Sequence, residues 1–138
     1  EQVVARVMRE PYVNVCTDGL LGGRPHPRAY GTYPRILGRY VREQKVLTLE
    51  EAVRKMTSQA ADAMHLSDRG RIARGQVGDV VVFDAANVID RATFADPLQP
   101  SVGIVHVAVA GVTVVENGQP TGARPGRAVR APRATTRV

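Results

Sequence analysis

One stretch, Tyr12-Val13-Asn14-Val15-Cys16-Thr17, limits most sharply what this chain of 138 residues can fold into. It is rich in β-branched and aromatic types and reads as a short, largely buried strand closed by Asp18-Gly19. A strand buried on both faces needs neighbours for its backbone N–H and C=O groups. No second run of this kind occurs before Asp79. Ahead of it, Val3, Val4, Val7 and Met8 recur at helical spacing until Pro11. Behind it, Gly22, Gly23, Pro25, Pro27 and Gly31 make Leu20–Gly31 a long loop. The expectation is therefore a carboxy-terminal part of a larger fold. Its strand edges and helix faces would be covered by an upstream part of the same protein or by another copy.

The rest of the chain divides by period. Thr32 is placed to cap a helix whose first turn contains Pro34 and whose apolar face is Ile36, Leu37, Tyr40 and Val41. Thr48-Leu49-Glu50-Glu51 fits a capping box, with the Thr48 hydroxyl accepting from the Glu51 N–H and the Glu51 carboxylate reaching back. Leu49, Ala52, Val53, Met56, Ala60, Ala63 and Met64 continue that helix on one apolar face. After about residue 66 the pattern changes to short β segments: Asp79–Asp84, Ile104–Ala110 with a hairpin partner at Val112–Val115, a turn at Asn117-Gly118, and a last strand at Ala128–Arg130. Residues 1–66 thus form a βα segment, and residues 67–138 a small β domain with a basic, Arg-rich tail.

The formal charge of +6 suggests an anionic partner until it is located. Arg124, Arg127, Arg130, Arg133 and Arg137 lie in residues 124–138 without an acid, and without these five arginines the chain carries only +1. That tail, with Pro125, Gly126 and Pro132, reads as a solvated terminus. With aromatics at 4% and no Trp there is little material to stack on bases, so no nucleic-acid partner is expected. No apolar run approaches the roughly 20 residues of a membrane span, so no membrane partner is expected either. No signal-peptide pattern opens the chain, and the single Cys16 excludes an internal disulfide framework. A cytoplasmic location follows as the expectation. A complete eight-stranded α/β barrel, at about 250 residues, does not fit in this length.

Two side chains stand out as chemistry. Asp18 ends the strand ahead of a Gly-rich loop, where a carboxylate can ligate a metal or take a proton from a metal-activated water; Asp18-Gly19 is equally ordinary turn chemistry. Arg28 follows the stiff Arg24-Pro25-His26-Pro27 segment and could clamp a substrate carboxylate with two hydrogen bonds, or belong to a solvated basic loop. His65 suits a helix end and His106 a strand interior. No histidine pair has metal-ligand spacing, no serine has the glycines of a nucleophile elbow, and Gly70–Gly75 is not a phosphate loop. Cys16 reads as a small buried residue.

Taken together, several segments resemble the carboxy-terminal region of the N-acyl-D-amino-acid deacylases (D-aminoacylases) of the metal-dependent amidohydrolase superfamily. They are Cys16-Thr17-Asp18-Gly19, His26-Pro27-Arg28-x-Tyr30-Gly31-Thr32-Tyr33-Pro34-Arg35-Ile36-Leu37-Gly38, and Glu51-Ala52-Val53-Arg54-Lys55-Met56-Thr57. Asp68-Arg69-Gly70, Gly78-Asp79-Val80-Val81-Val82-Phe83-Asp84, Ala92-Thr93-Phe94, Gly103-Ile104 and Thr121-Gly122-Ala123-Arg124-Pro125-Gly126-Arg127 complete the likeness. The resemblance implies an α/β fold: the last strand and helices of a (β/α)8 amidohydrolase barrel, followed by a small β-sandwich-type domain. It implies hydrolysis of an N-acyl-D-amino acid to a carboxylate and a free D-amino acid. Asp18 would be metal ligand and general base, and Arg28 would hold the substrate α-carboxylate. Zinc would be the cofactor of the complete enzyme, its histidine and cysteine ligands lying upstream, so that this chain alone would neither bind it tightly nor turn over substrate. Another amidohydrolase, acting on cyclic amides, and a non-catalytic β-rich interaction module are the alternatives.

Overall fold

In the computed structural model, residues 1–20 and 22–130 are described. The order is α1 (Gln2–Arg9), α2 (Arg28–Arg35) continued by a π-helical stretch (Ile36–Glu43), α3 (Leu49–Met56), α4 (Ser58–Ala63), and strands β1 (Val80–Phe83), β2 (Ile104–Val109), β3 (Val112–Glu116) and β4 (Gln119–Pro120).

The helix carrying the Pro34 motif starts earlier than its sequence suggests. α2 begins at Arg28 behind Pro27, and Thr32, expected as its cap, lies inside it with its hydroxyl donating to the Arg28 carbonyl (2.8 Å). Pro34 therefore sits in the helix body, where it has no N–H for the Tyr30 carbonyl. The Ser101 hydroxyl donates to that carbonyl instead (3.1 Å). Immediately after Pro34 the helix widens into π geometry, with the Gln44 N–H reaching the Arg39 carbonyl five residues back (2.8 Å). Gly38 lets this helix approach the chain at Val88 and Ile89: an added Cβ would stand 2.5 Å from the Val88 carbonyl oxygen.

Thr48 caps α3 as expected, its hydroxyl accepting from the Glu51 N–H (3.2 Å). The reciprocal half of the box is not made. Glu51 turns outward to a two-pronged pair with Arg54 (2.7 and 2.8 Å), a guanidinium being a stronger partner for a carboxylate than one amide. The single helix expected through Met64 is broken at Thr57 (φ −130°, ψ −92°), so Ala61 turns inward while Met64 is exposed.

Met8, Ile36, Leu37, Tyr40, Val46, Ala52 and Val88 form the core, joined at its edge by Val15, Val53, Met56, Phe83 and Ile104. Of the expected apolar face of α1 only Met8 is buried; Val3 is 74% exposed, and Val4 and Val7 are about half exposed. The helix forms, but nothing among the described residues covers that face.

The strands make one antiparallel sheet in the order β1-β2-β3-β4, with Val81 opposite Val107 and Val109 opposite Val112. Asn117 (φ 49°) and Gly118 (φ 76°) supply the two left-handed residues of a hairpin turn whose twist matches the strands. Among the described residues the last strand is Gln119–Pro120, not Ala128–Arg130, because the turn fixes the register of the residues that follow it directly. Residues 124–130 of the basic tail run without regular structure, and Arg133 and Arg137 lie outside the described residues. No helix among the described residues is long and apolar enough to cross a membrane.

Within the described residues Tyr12–Thr17 is not a strand. It forms no ladder here, because no described strand lies beside it. Its backbone groups go to the helices instead: the Val15 N–H to the Lys55 carbonyl (3.4 Å), and the Val13 carbonyl to Lys55 Nζ and Gln59 Nε2 (3.1 Å each). Cys16, expected buried, is exposed for the same reason: one face of the segment is uncovered.

Candidate functional site

The two side chains singled out from the sequence meet. The Asp18 carboxylate lies 2.8 Å from the Arg28 guanidinium, across the two ends of the intervening loop. Local chemistry puts them there. The Thr17 hydroxyl accepts from the Gly19 N–H (3.2 Å), and Asp18 takes a left-handed conformation (φ 45°), so the chain turns at once after the segment. Gly19 then lies against the first turn of α2, where an added Cβ would be 2.9 Å from the Ala29 Cα. His26 Nδ1 accepts from the Arg28 N–H (3.1 Å), satisfying one of the orphan donors at the start of α2.

The loop is fastened from its other side. Arg24 donates to the carbonyls of Phe94 and Ala95 (2.9 and 2.8 Å), and the Phe94 ring meets His26 edge-on at 4.9 Å. Farther along, the Arg35 guanidinium pairs with Asp90 at 3.2 Å. Burial acts to lower the Arg35 pKa, but the Asp90 carboxylate outweighs it and the net shift is upward. Tyr33, partly shielded nearby, is pushed up by loss of solvent and by the neighbouring Cys16. Arg24, Phe94 and Asp90 were not read as site-supporting from sequence, since about seventy residues separate Arg24 from its carbonyl partners. Lys55 left only a weak signal: a cation at the margin of the apolar stripe, three residues after Ala52.

The pair is open to solvent, with the Asp18 side chain 76% and the Arg28 side chain 42% exposed. His65 and His106 stand apart as expected: His65 follows the end of α4, its N–H bonded to the Asp62 carbonyl, and His106 in β2 accepts from the Asn117 N–H. Among the described residues no three His, Cys, Asp or Glu side chains converge as a metal site. A catalytic zinc takes about three protein ligands; Asp18 offers one carboxylate. The described residues therefore do not make such a site.

A family model described as the amidohydrolase family matches residues 13–115. The chain is 49% identical over 131 residues to an N-acyl-D-glutamate deacylase of Alcaligenes xylosoxydans xylosoxydans, a match covering 94% of this chain and 27% of that protein. It is 46% identical over 126 residues to an N-acyl-D-aspartate deacylase of the same organism, covering 90% of this chain and 25% of that one. Its fold superposes on a D-aminoacylase crystal structure with a TM-score of 0.85 at 42% identity, over 89% of this chain and 26% of the other. It also superposes on the N-acyl-D-glutamate deacylase of Bordetella bronchiseptica complexed with zinc and a phosphonate mimic of the tetrahedral intermediate, with a TM-score of 0.80 at 44% identity, over 86% of this chain and 26% of that structure. The chain thus spans about a quarter of the length of the relatives it matches.

Proposed function

The chain belongs to the amidohydrolase family and, within it, to the D-aminoacylases, and on that premise we propose that it is the carboxy-terminal part of a zinc-dependent N-acyl-D-amino-acid deacylase. The observation that carries the reading is the Asp18–Arg28 pair at 2.8 Å. In an N-acyl-amino acid the scissile amide nitrogen and the free carboxylate hang on the same carbon. A base and a carboxylate-binding guanidinium set side by side match that substrate, with Arg28 gripping the α-carboxylate by two hydrogen bonds. That grip holds the acyl carbonyl beside Asp18. Asp18 takes the proton from the attacking water; the C–N bond breaks, and the proton passes to the departing amine. A free carboxylate and a D-amino acid result. Zinc, when held by the ligands of the whole protein, supplies Lewis acidity and a water that ionises near neutral pH.

The uncovered surfaces support the same reading. Val80, Val81 and Val82 on the outer strand of the sheet are 37%, 51% and 49% exposed, and the outer edge of β1 pairs with nothing among the described residues. In the whole protein, Tyr12–Thr17 would take its place as the last barrel strand and the sheet would complete a sandwich-type β domain.

The test is Asp18→Asn in the intact, zinc-loaded protein. The expected loss in kcat is about 10²- to 10⁴-fold. Folding should be unchanged, since the side chain is exposed. A variant with the wild-type rate, or a wild-type protein equally fast on L-configured substrates, refutes the proposal.

A further inference from the structure

We infer that Lys55 is the positioning residue that sets Asp18, an inference that rests on the deacylase reading. Lys55 has no exposed surface and is the one charged side chain buried among the described residues. A cation taken out of water is retained only where it is fully partnered. Its ammonium donates to the carbonyls of Glu10 and Val13 and stands 3.8 Å from the Glu51 carboxylate. Its own carbonyl accepts from the Val15 N–H (3.4 Å), and Gln59 in α4 donates a second bond to the Val13 carbonyl (3.1 Å). α3 and α4 therefore hold residues 10–15 from one side, and Asp18 follows three residues later.

Arg28 is anchored elsewhere. Its helix is held through the His26 cap, the Ser101 bond to Tyr30 and the Arg35–Asp90 pair, none of which involves α3 or α4. The polar bonds that hold the two members thus come from different elements, although Gly19 lies against Ala29 of α2, and Ile36, Leu37 and Tyr40, just beyond α2, share the core with Ala52 of α3. Loosening Lys55 releases the bonds that hold residues 10–15 ahead of Asp18 and leaves intact the polar bonds that hold Arg28's helix.

The experiment compares wild type, Lys55→Met, Asp18→Asn and the double variant in the intact zinc-loaded protein. Lys55→Met should lower kcat by about 10²-fold, the loss that an ångström of misplacement costs, with KM for an N-acyl-D-amino acid changed less than about threefold. The double variant should be no slower than Asp18→Asn alone, because Lys55 acts only through that carboxylate. Gln59→Leu removes just the second bond to Val13 and should show the same split at about tenfold; it decides the matter if Lys55→Met does not fold. A wild-type kcat, a rise in KM at constant kcat, or additive losses in the double variant overturns the inference. Wild-type activity in Asp18→Asn would instead overturn the deacylase reading itself.

Discussion

Gly38→Ala should destabilise the protein, although the same change within a helix ordinarily stabilises. In helical geometry alanine gains about 1 kcal/mol over glycine. Here the new methyl would lie 2.4 Å from Ile89 Cδ1 and 2.5 Å from the Val88 carbonyl oxygen. Ile89 Cδ1 can swing aside, but the carbonyl is backbone and moves only with its chain. Overpacking of this kind costs about 1–3 kcal/mol. Relieving it by drawing the segment away loosens Arg42, which donates to the Val88 and Ala85 carbonyls (2.7 and 3.3 Å), at about 1 kcal/mol per bond lost. The opposing effects leave a net loss of about 2 kcal/mol. The relatives are about four times as long as this chain, and at an unfolding entropy of about 2.1 cal/mol/K per residue the midpoint in differential scanning calorimetry of the intact protein should fall by about 2 °C. An alanine variant that melts at or above wild type would refute the close approach of the helix to Val88, and with it the reason for glycine in the Pro34–Gly38 motif.

Thr48→Ala removes the hydroxyl that caps α3 and should lower the urea-unfolding free energy by about 1 kcal/mol, whereas Thr48→Ser should lie within a few tenths of wild type. Asp84 accepts from the Asn87 side-chain amide and from the Ala86 N–H, which hold its pKa below the usual aspartate value. Because the folded value is depressed, the stability it contributes is present above the unfolded value of about 3.9 and is lost as pH falls through the folded one. As pH falls below about 4, wild type should therefore lose urea resistance faster than Asp84→Asn; parallel acid limbs would show that the turn does not depend on this ionisation.

How much of this was readable beforehand follows the range of the forces involved. The cap at Thr48, the hairpin turn at Asn117-Gly118 and the strands on either side of Gly111 rest on neighbours a few residues apart, and each appears where its residues place it. The candidate site was legible as two residue types, Asp18 and Arg28, with nothing in their spacing to bring them together. Their contact needs the Thr17–Gly19 turn, the early start of α2 and the clamp of Arg24 on residues 94 and 95. Two readings depart from the described residues for one reason. Tyr12–Thr17 has the composition of a strand, but a strand is a relation between segments, and none of the described ones supplies the other half. Thr32 has the chemistry of a cap, but Pro34 is tolerated inside the helix because Ser101, distant in sequence, takes the carbonyl it leaves unbonded. Sequence alone thus determined the local elements and the identity of the chemical groups, since turns, caps and periodicity are short-range. Tertiary structure alone decided which groups meet, which apolar faces are covered and why a lysine is buried, because each of these depends on partners tens of residues away.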